Sequence, residues 1–198
     1  MNALKLVMVE YIAPKSWICS FGAKRIGFTL PDFEDVWNLK PTERGKINLF
    51  GKEHNVPRWQ QSYEKNYFFS GMVHQSSTST PKIFLEFLKV CQQHVSPRLN
   101  GILVNWYNPE DYIGFHSDDE KNLVEDEPIL TLTLLEDPNE KRKFRLKSQD
   151  HYNRDIMLGH GDILVMGGDT QKTHKHSVPK STKYRSKRVS ITVRSFGE

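Results

Sequence analysis

The segment Arg188-Val-Ser-Ile-Thr-Val-Arg194 constrains the fold of this chain more than any other. Side chains along a strand alternate between two faces. Val189, Ile191 and Val193 therefore share one face, and Arg188, Ser190, Thr192 and Arg194 share the other. If the apolar face packs on helices, the polar face looks into a sandwich of two sheets. Arginines enclosed there are costly unless they meet anions. Six residues of strand separate the two arginine backbones by roughly 20 Å. The pair would suit the two ends of a small dicarboxylate, because a planar, permanently charged fork matches a carboxylate. A solvent-exposed edge with two ordinary surface arginines is the other reading of the same segment.

The remaining pattern sets the architecture around this strand. Residues 81–94 predict a helix, with Thr80 as its cap and Pro81 in its first turn. Phe84, Phe87, Leu88 and Cys91 make one apolar stripe along it. A shorter helix is expected over 31–40, where Phe33, Val36, Trp37 and Leu39 fall at helical spacing and Asp32 and Glu34 suit the helix dipole. Residues 4–12 read as a strand or a short helix. Lys46–Lys52 predicts a strand running into a glycine turn. Val56–Tyr63 and Asn66–Gly71 are dense in aromatics and side-chain amides and read as a pocket wall. From residue 101 onward strands are expected at Gly101–Tyr107, Ile129–Leu135, Lys143–Lys147, Asp162–Met166 and Arg188–Phe196. Leu130, Leu132 and Leu134 alternate with Thr131 and Thr133, the mark of a half-buried strand. Helix first and strands afterwards points to an α+β fold with a strand sandwich or barrel.

A chain of 198 residues predicts one domain. With 37% hydrophobic and 26% charged residues it reads as soluble and globular. No apolar run approaches a membrane span, and Lys5 and Glu10 interrupt the only apolar run near the start. Cys19 and Cys91 provide neither a disulfide framework nor zinc spacing, so an intracellular location is expected, nuclear or cytoplasmic. A monomer is expected. The net charge of +4 is unevenly spread: residues 170–197 carry Lys172, Lys175, Lys180, Lys183, Arg185, Lys187, Arg188 and Arg194 with no Asp or Glu. Lys141–Lys147 is a second basic block. Such segments fit a polyanionic partner, or a solvated face with a flexible basic loop.

The chemistry concentrates at His116-Ser117-Asp118, which ends the stretch beginning at Asn105. In extended chain His116 and Asp118 converge on one point. They supply two of the three ligands of a 2-His-1-carboxylate iron site. The third must come from elsewhere, and the best placed is His176 in Thr173-His-Lys-His-Ser-Val-Pro179. His174 shares its strand parity, so alternation alone does not choose between them. His160 reads as a turn residue, and His54, His74, His94 and His151 as surface or capping residues.

With these residues in place, the chain resembles the AlkB family of Fe(II)- and 2-oxoglutarate-dependent nucleic-acid demethylases, and within it the eukaryotic-type DNA repair members. The resemblance runs from about Lys46 to Phe196. It rests on Asn105-x-Tyr107, His116-x-Asp118, His176 before Ser-Val-Pro179 and Arg188-x5-Arg194, and on Val56-Pro-Arg58, Tyr67-Phe-Phe-Ser-Gly71 and Gly161–Gly167. It implies a double-stranded β-helix core over 81–198, preceded by an N-terminal extension with helices and nucleotide-recognition elements over 1–80. It makes His116, Asp118 and His176 the iron ligands and the catalytic centre. It makes Asn105, Tyr107, Arg188 and Arg194 the 2-oxoglutarate contacts, with Ser190 as a helper. It implies that Fe(II), 2-oxoglutarate and O2 together hydroxylate an N-methyl group of a base of the 1-methyladenine or 3-methylcytosine type. The product then releases formaldehyde, with succinate and CO2 as the other products.

The resemblance extends to the nucleic-acid side. Leu49-Phe50-Gly51-Lys52 is similar to a duplex-probing finger, where an apolar wedge helps a base leave the stack; a buried Phe50 closing a hairpin is the alternative. Tyr67 and Phe69 match a wall on which a flipped base stacks. Glu120 matches an acidic contact to the base's exocyclic amine, or is a solvated glutamate. Arg58 matches a substrate-side arginine, or a plain phosphate contact. An RNA demethylase of the same family, and a binding module with a degenerate oxygenase fold, are the competing expectations.

Overall fold

The computed structural model describes residues 7–49, 51–69, 72–120 and 122–197. Along them run β1 (Glu10–Ala13), β2 (Ser16–Gly22), α1 (Phe33–Trp37), β3 (Lys46–Leu49), β4 (Lys52–Asn55), β5 (Trp59–Tyr63), β6 (Tyr67–Phe69) and β7 (Met72–His74). Then come α2 (Lys82–His94), β8 (Gly101–Tyr107), β9 (Ile113–His116), β10 (Ile129–Leu135), β11 (Arg142–Ser148), β12 (Asn153–Leu158), β13 (Asp162–Gly168), α3 (Thr170–Thr173), β14 (His174–Val178) and β15 (Arg188–Arg194).

Two antiparallel sheets carry the core. The larger has the order β1-β2-β13-β10-β15-β8-β5 and the smaller β12-β11-β14-β9, a jelly-roll arrangement. β15 lies inside the larger sheet, with Ile191 paired to Leu132 on one side and Val104 on the other. Its period-two pattern now has a physical cause. Val189, Ile191 and Val193 are fully buried in the core cluster that holds Phe84, Phe87 and Cys91 of α2 and Val36 and Trp37 of α1. Each such side chain contributes roughly 1.5–3 kcal/mol on burial. Trp106 Nε1 donates to the Val36 carbonyl at 2.9 Å and ties α1 to the sheet. Phe144, Leu146, Leu158, Leu164, Met166 and Val178 form a second cluster. The helices are few, and strands make up most of the core.

Several local expectations are revised. α1 is only Phe33–Trp37; Asp32 caps it, accepting from the Glu34 N–H at 2.9 Å. Thr80 does not cap α2: Pro81 takes that position, and the Thr80 hydroxyl donates to Glu64 at 2.5 Å. Ile129–Leu135 is buried throughout rather than on one face, because helices and core cover one side and the second sheet the other. β2 and β12 were not legible in the pattern.

Candidate metal centre

β9 ends at His116, and Asp118 follows in the loop rather than in the strand. His176 of β14 is the cross-strand partner of His116, and the two ring centroids lie 4.2 Å apart. Asp118 reaches both: Oδ1 lies 3.8 Å from His116 Nε2, and Oδ2 lies 3.9 Å from His176 Nε2. One donor atom from each of the three lies within 4.8 Å of the others. His174 stands outside this group. Its Nδ1 lies 2.8 Å from the Thr173 hydroxyl.

The surroundings fix the state of each donor. His116 Nδ1 lies 2.9 Å from the Gly114 carbonyl, so Nδ1 carries the proton and leaves the Nε2 lone pair free. Burial pushes the His176 imidazole down to about 3, and it pushes His116 down as well; both rings are neutral at pH 7. Phe144 stacks on His176 with centroids 5.2 Å apart, which fixes the ring plane. Burial acts to raise the Asp118 carboxyl, but the Arg194 guanidinium beside it pulls harder, and it is held below the usual carboxylate range. The Gln171 side chain accepts from the Asp118 N–H at 3.0 Å and steadies the loop. Two neutral imidazoles and a carboxylate, with Asp118 Oδ1 buried and lacking a hydrogen-bond partner among the described residues, make a donor set that fits a divalent iron ion.

The metal group opens into a small cavity between the sheets. Asn105, Tyr107, Arg188, Ser190, Thr192 and Arg194 line it, together with His116, Asp118 and His176. The two arginines stand at opposite ends and differ. Arg194 is already engaged, with Nη2 2.9 Å from Asp118 and Nη1 2.8 Å from Glu120, and its guanidinium lies 5.0 Å from the Tyr67 ring centroid. Its Nε is buried and finds no partner among the described residues. Arg188 is 2% exposed, donates to Thr133 at 3.2 Å and lies over the Tyr107 ring, while its Nε and Nη1 find no partner among the described residues. Burial pushes it down to about 10, so it stays charged at pH 7. A buried fork with idle donors is built for an anion.

The remaining candidates divide. Arg58 is 4% exposed, donates to Asn105 and Gln60 at 2.9 Å, and lines the cavity, a place that suits a substrate-side arginine better than a plain phosphate contact. Tyr67 lines the same cavity. Glu120 is buried against Arg194 rather than solvated, burial raises its pKa, and its Oε2 finds no partner among the described residues. Ser190 is buried on the cavity wall. Leu49 and Lys52 pair across the β3–β4 hairpin, with Gly51 at φ +77° and both Gly51 and Lys52 exposed. Phe50, Ser70 and Gly71 lie outside the described residues, as do the side chains of Leu49, Phe68 and Phe69. Of the basic segment, Arg188 and Arg194 point inward, and the stretch before β15 is tied down: Glu140 accepts from the Arg185 and Ser186 N–H groups, and Lys187 pairs with Glu136 at 2.7 Å. Sequence reasoning missed Phe144, Thr133, Gln171 and Arg142. The alternation of β11 held the signal for two of them, since Arg142, Phe144 and Leu146 face inward while Lys143, Arg145 and Lys147 face out.

Comparison with known proteins agrees with this geometry. The family model described as the 2OG-Fe(II) oxygenase superfamily matches residues 45–194. The human DNA oxidative demethylase ALKBH2 is 31% identical over 168 residues, covering 76% of this chain and 61% of the relative. The chain thus spans less than two thirds of that relative's length. The mouse alpha-ketoglutarate-dependent dioxygenase alkB homolog 3 is 33% identical over 113 residues, covering 52% of this chain and 39% of the relative. The solved structure of OsALKBH1 shares the fold at a TM-score of 0.59 and 15% identity, covering 95% of this chain and all of that one.

Proposed function

This chain belongs to the 2OG-Fe(II) oxygenase superfamily, and from that premise we propose that it oxidatively demethylates N-alkylated bases in DNA. The observation that carries the reading is the His116–Asp118–His176 group opening into a cavity that ends at Arg188. The superfamily's chemistry uses Fe(II), 2-oxoglutarate and O2, which together supply a hydroxylating oxidant beside the substrate methyl group.

The chain's own residues divide the work. His116 and His176, kept neutral, and Asp118, kept ionised, would hold the iron. Arg194 positions Asp118 and offsets its buried charge. Arg188 would take the distal carboxylate of 2-oxoglutarate, with Asn105, Tyr107 and Ser190 on the walls beside it. Enclosure between two sheets excludes bulk water and strengthens each of these contacts. On the substrate side, Tyr67 and Phe69 would offer aromatic surface to a flipped base, with Glu120 Oε2 as an acceptor for its exocyclic amine. Arg58 would set the floor of that pocket through Asn105. Leu49, Phe50, Gly51 and Lys52 would probe the duplex from the β3–β4 hairpin. Among the described residues no helix is long and apolar enough to cross a membrane. The partner we assign is alkylated nucleic acid, met by a monomer inside the cell.

The test is mass spectrometry of oligonucleotides carrying 1-methyladenine or 3-methylcytosine, incubated with the protein, Fe(II), ascorbate and 2-oxoglutarate. DNA and RNA versions are run in parallel, single- and double-stranded. Loss of 14 mass units per lesion from DNA, dependent on 2-oxoglutarate and matched by succinate release, is the expected result. Succinate release with no base repaired would leave the oxygenase and remove the substrate.

A further inference from the structure

β9 does not alternate regularly. Its neighbour β14 pairs His176 with His116 but Val178 with Ile113, so three residue steps along β9 match two along β14. The surplus residue makes a β-bulge, and a bulge re-aims the side chains beside it. Ile113 and His116 therefore both line the cavity, although their odd spacing would put them on opposite faces of a regular strand. Their neighbours Tyr112 and Phe115 both point to the outside of the sheet, at 38% and 42% exposure. Neither ring belongs to a core cluster, so packing does not account for them.

Each exposed ring carries a lysine. Lys180 Nζ lies 5.8 Å from the Tyr112 ring centroid, and Lys147 Nζ lies 5.4 Å from that of Phe115. Lys147 also stands directly opposite Lys175 across β11 and β14, and like charges so placed destabilise a sheet. Neighbouring cations are neutralised: Lys143 and Arg145 share Asp155, at 2.7 and 2.5 Å, and Lys172 takes Glu125 and Asp169, at 3.5 and 3.1 Å. Lys147, Lys175 and Lys180 form no ion pair among the described residues. Exposed rings beside unpaired ammonium groups suit a strand of unpaired nucleotides, whose bases stack on the rings while the phosphates meet the charges. We propose that the outer face of β9 is a ledge for the unpaired nucleotides that flank the base held in the cavity. Tyr112 and Phe115 stack on bases, and Lys147, Lys175 and Lys180 meet phosphates. This rests on the nucleic-acid reading given above and extends it to the strand outside the cavity. A paired base has no free face to offer, so the ledge takes a single strand, or a duplex opened beside the lesion.

The test is fluorescence anisotropy with a labelled, unmodified single-stranded oligothymidylate over a range of salt. Tyr112→Ala and Phe115→Ala should each weaken binding roughly tenfold. Their melting temperatures and Mn(II) affinity should match the wild type's. Lys147→Gln combined with Lys180→Gln should lower the slope of log affinity against log salt by about 1.4, at about 0.7 for each single-strand phosphate released. Variants that bind with wild-type affinity and slope would overturn the ledge and leave the nucleic-acid reading standing. A wild type that binds no nucleic acid, with or without a methylated base, would sink that reading and the ledge with it. A second measurement needs no variant to fold. Ultraviolet cross-linking of the wild type to an oligonucleotide carrying 5-iodouracil, read by peptide mass spectrometry, should place adducts on Tyr112 or Phe115. Adducts found only on other residues would exclude the outer face of β9.

Discussion

Arg194 bridges two carboxylates from one loop: its Nη2 lies 2.9 Å from Asp118 Oδ2 and its Nη1 lies 2.8 Å from Glu120 Oε1. All three side chains are buried. The far arginine of β15 therefore acts as a strut beneath the metal group, and it couples the ligand carboxylate to the residue assigned to the substrate base.

Arg194→Gln should uncouple the two. It leaves two buried carboxylates without their cation, a loss of about 3–5 kcal/mol for a broken buried pair. An outer partner of a metal ligand is also worth roughly 10–100-fold in metal affinity. Melting temperature and Mn(II) calorimetry on the same sample measure both effects. Wild-type Mn(II) affinity in the variant would mean that Asp118 holds its place without Arg194.

His116→Ala, Asp118→Ala and His176→Ala should each abolish turnover, while His174→Ala keeps most of it. His174 spends Nδ1 on Thr173 and lies outside the donor group. Iron content and succinate release for the four variants check this. A dead His174→Ala beside a live His176→Ala would reverse the ligand choice.

Arg188→Lys should raise the 2-oxoglutarate requirement by about ten- to a hundredfold. A charged hydrogen bond contributes roughly 1.5–3 kcal/mol, and a point charge does not reproduce the fork. The dependence of succinate release on 2-oxoglutarate concentration reads it. Identical curves for variant and wild type would take Arg188 out of the site.

The metal-free protein should lose stability in acid. Burial lowers His176 from 6.5 to about 3, so between those values the unfolded chain binds a proton that the native site refuses. Stability is then fully present above the ordinary histidine value and falls as pH drops toward 3. His116, also lowered, adds in the same window; Asp118, lowered from 3.8, adds only below its ordinary value. Melting temperatures of metal-free wild type and His176→Gln between pH 7.5 and pH 4.5, an interval that starts above 6.5 and runs down into the window between 6.5 and about 3, should converge as pH falls. Parallel curves would show that His176 does not titrate this way.

What was legible in the sequence was what local periodicity carries. The alternation of Arg188–Arg194 announced a strand with one face in the core and left its polar face open between a cavity and a solvent-exposed edge; the cavity is its environment. Spacing alone placed His116 beside Asp118. Pairings between distant segments left no such trace: nothing local says that Arg194 meets Glu120, or that the Trp106 indole bonds to Val36. Arg142 hid in a basic block whose composition looks solvated, although every second residue of it faces inward. β2 pairs along its whole length with β13, yet its sequence alternates too weakly for a strand to be read from it.

The last prediction concerns the β3–β4 hairpin, whose turn carries exposed Gly51 and whose second strand begins at exposed Lys52. A single-stranded base is free to enter the pocket, so a wedge has no task there. In a duplex, unstacking costs a few kcal/mol, and an inserted apolar side chain offsets part of it. Phe50→Ala should therefore slow repair of duplex DNA by roughly tenfold, if about 1.4 kcal/mol of that offset is lost, and leave single-strand repair near the wild-type rate. Lys52→Ala should act differently. Losing one phosphate contact weakens binding to both substrates and lowers the slope of log affinity against log salt by about one. Rates on matched single- and double-stranded oligonucleotides, with a melting curve for each variant, separate these effects. A core role for Phe50 would lower the melting temperature and both rates together. An unchanged ratio of duplex to single-strand rates would end the wedge reading, and with it the main argument for duplex DNA as the substrate.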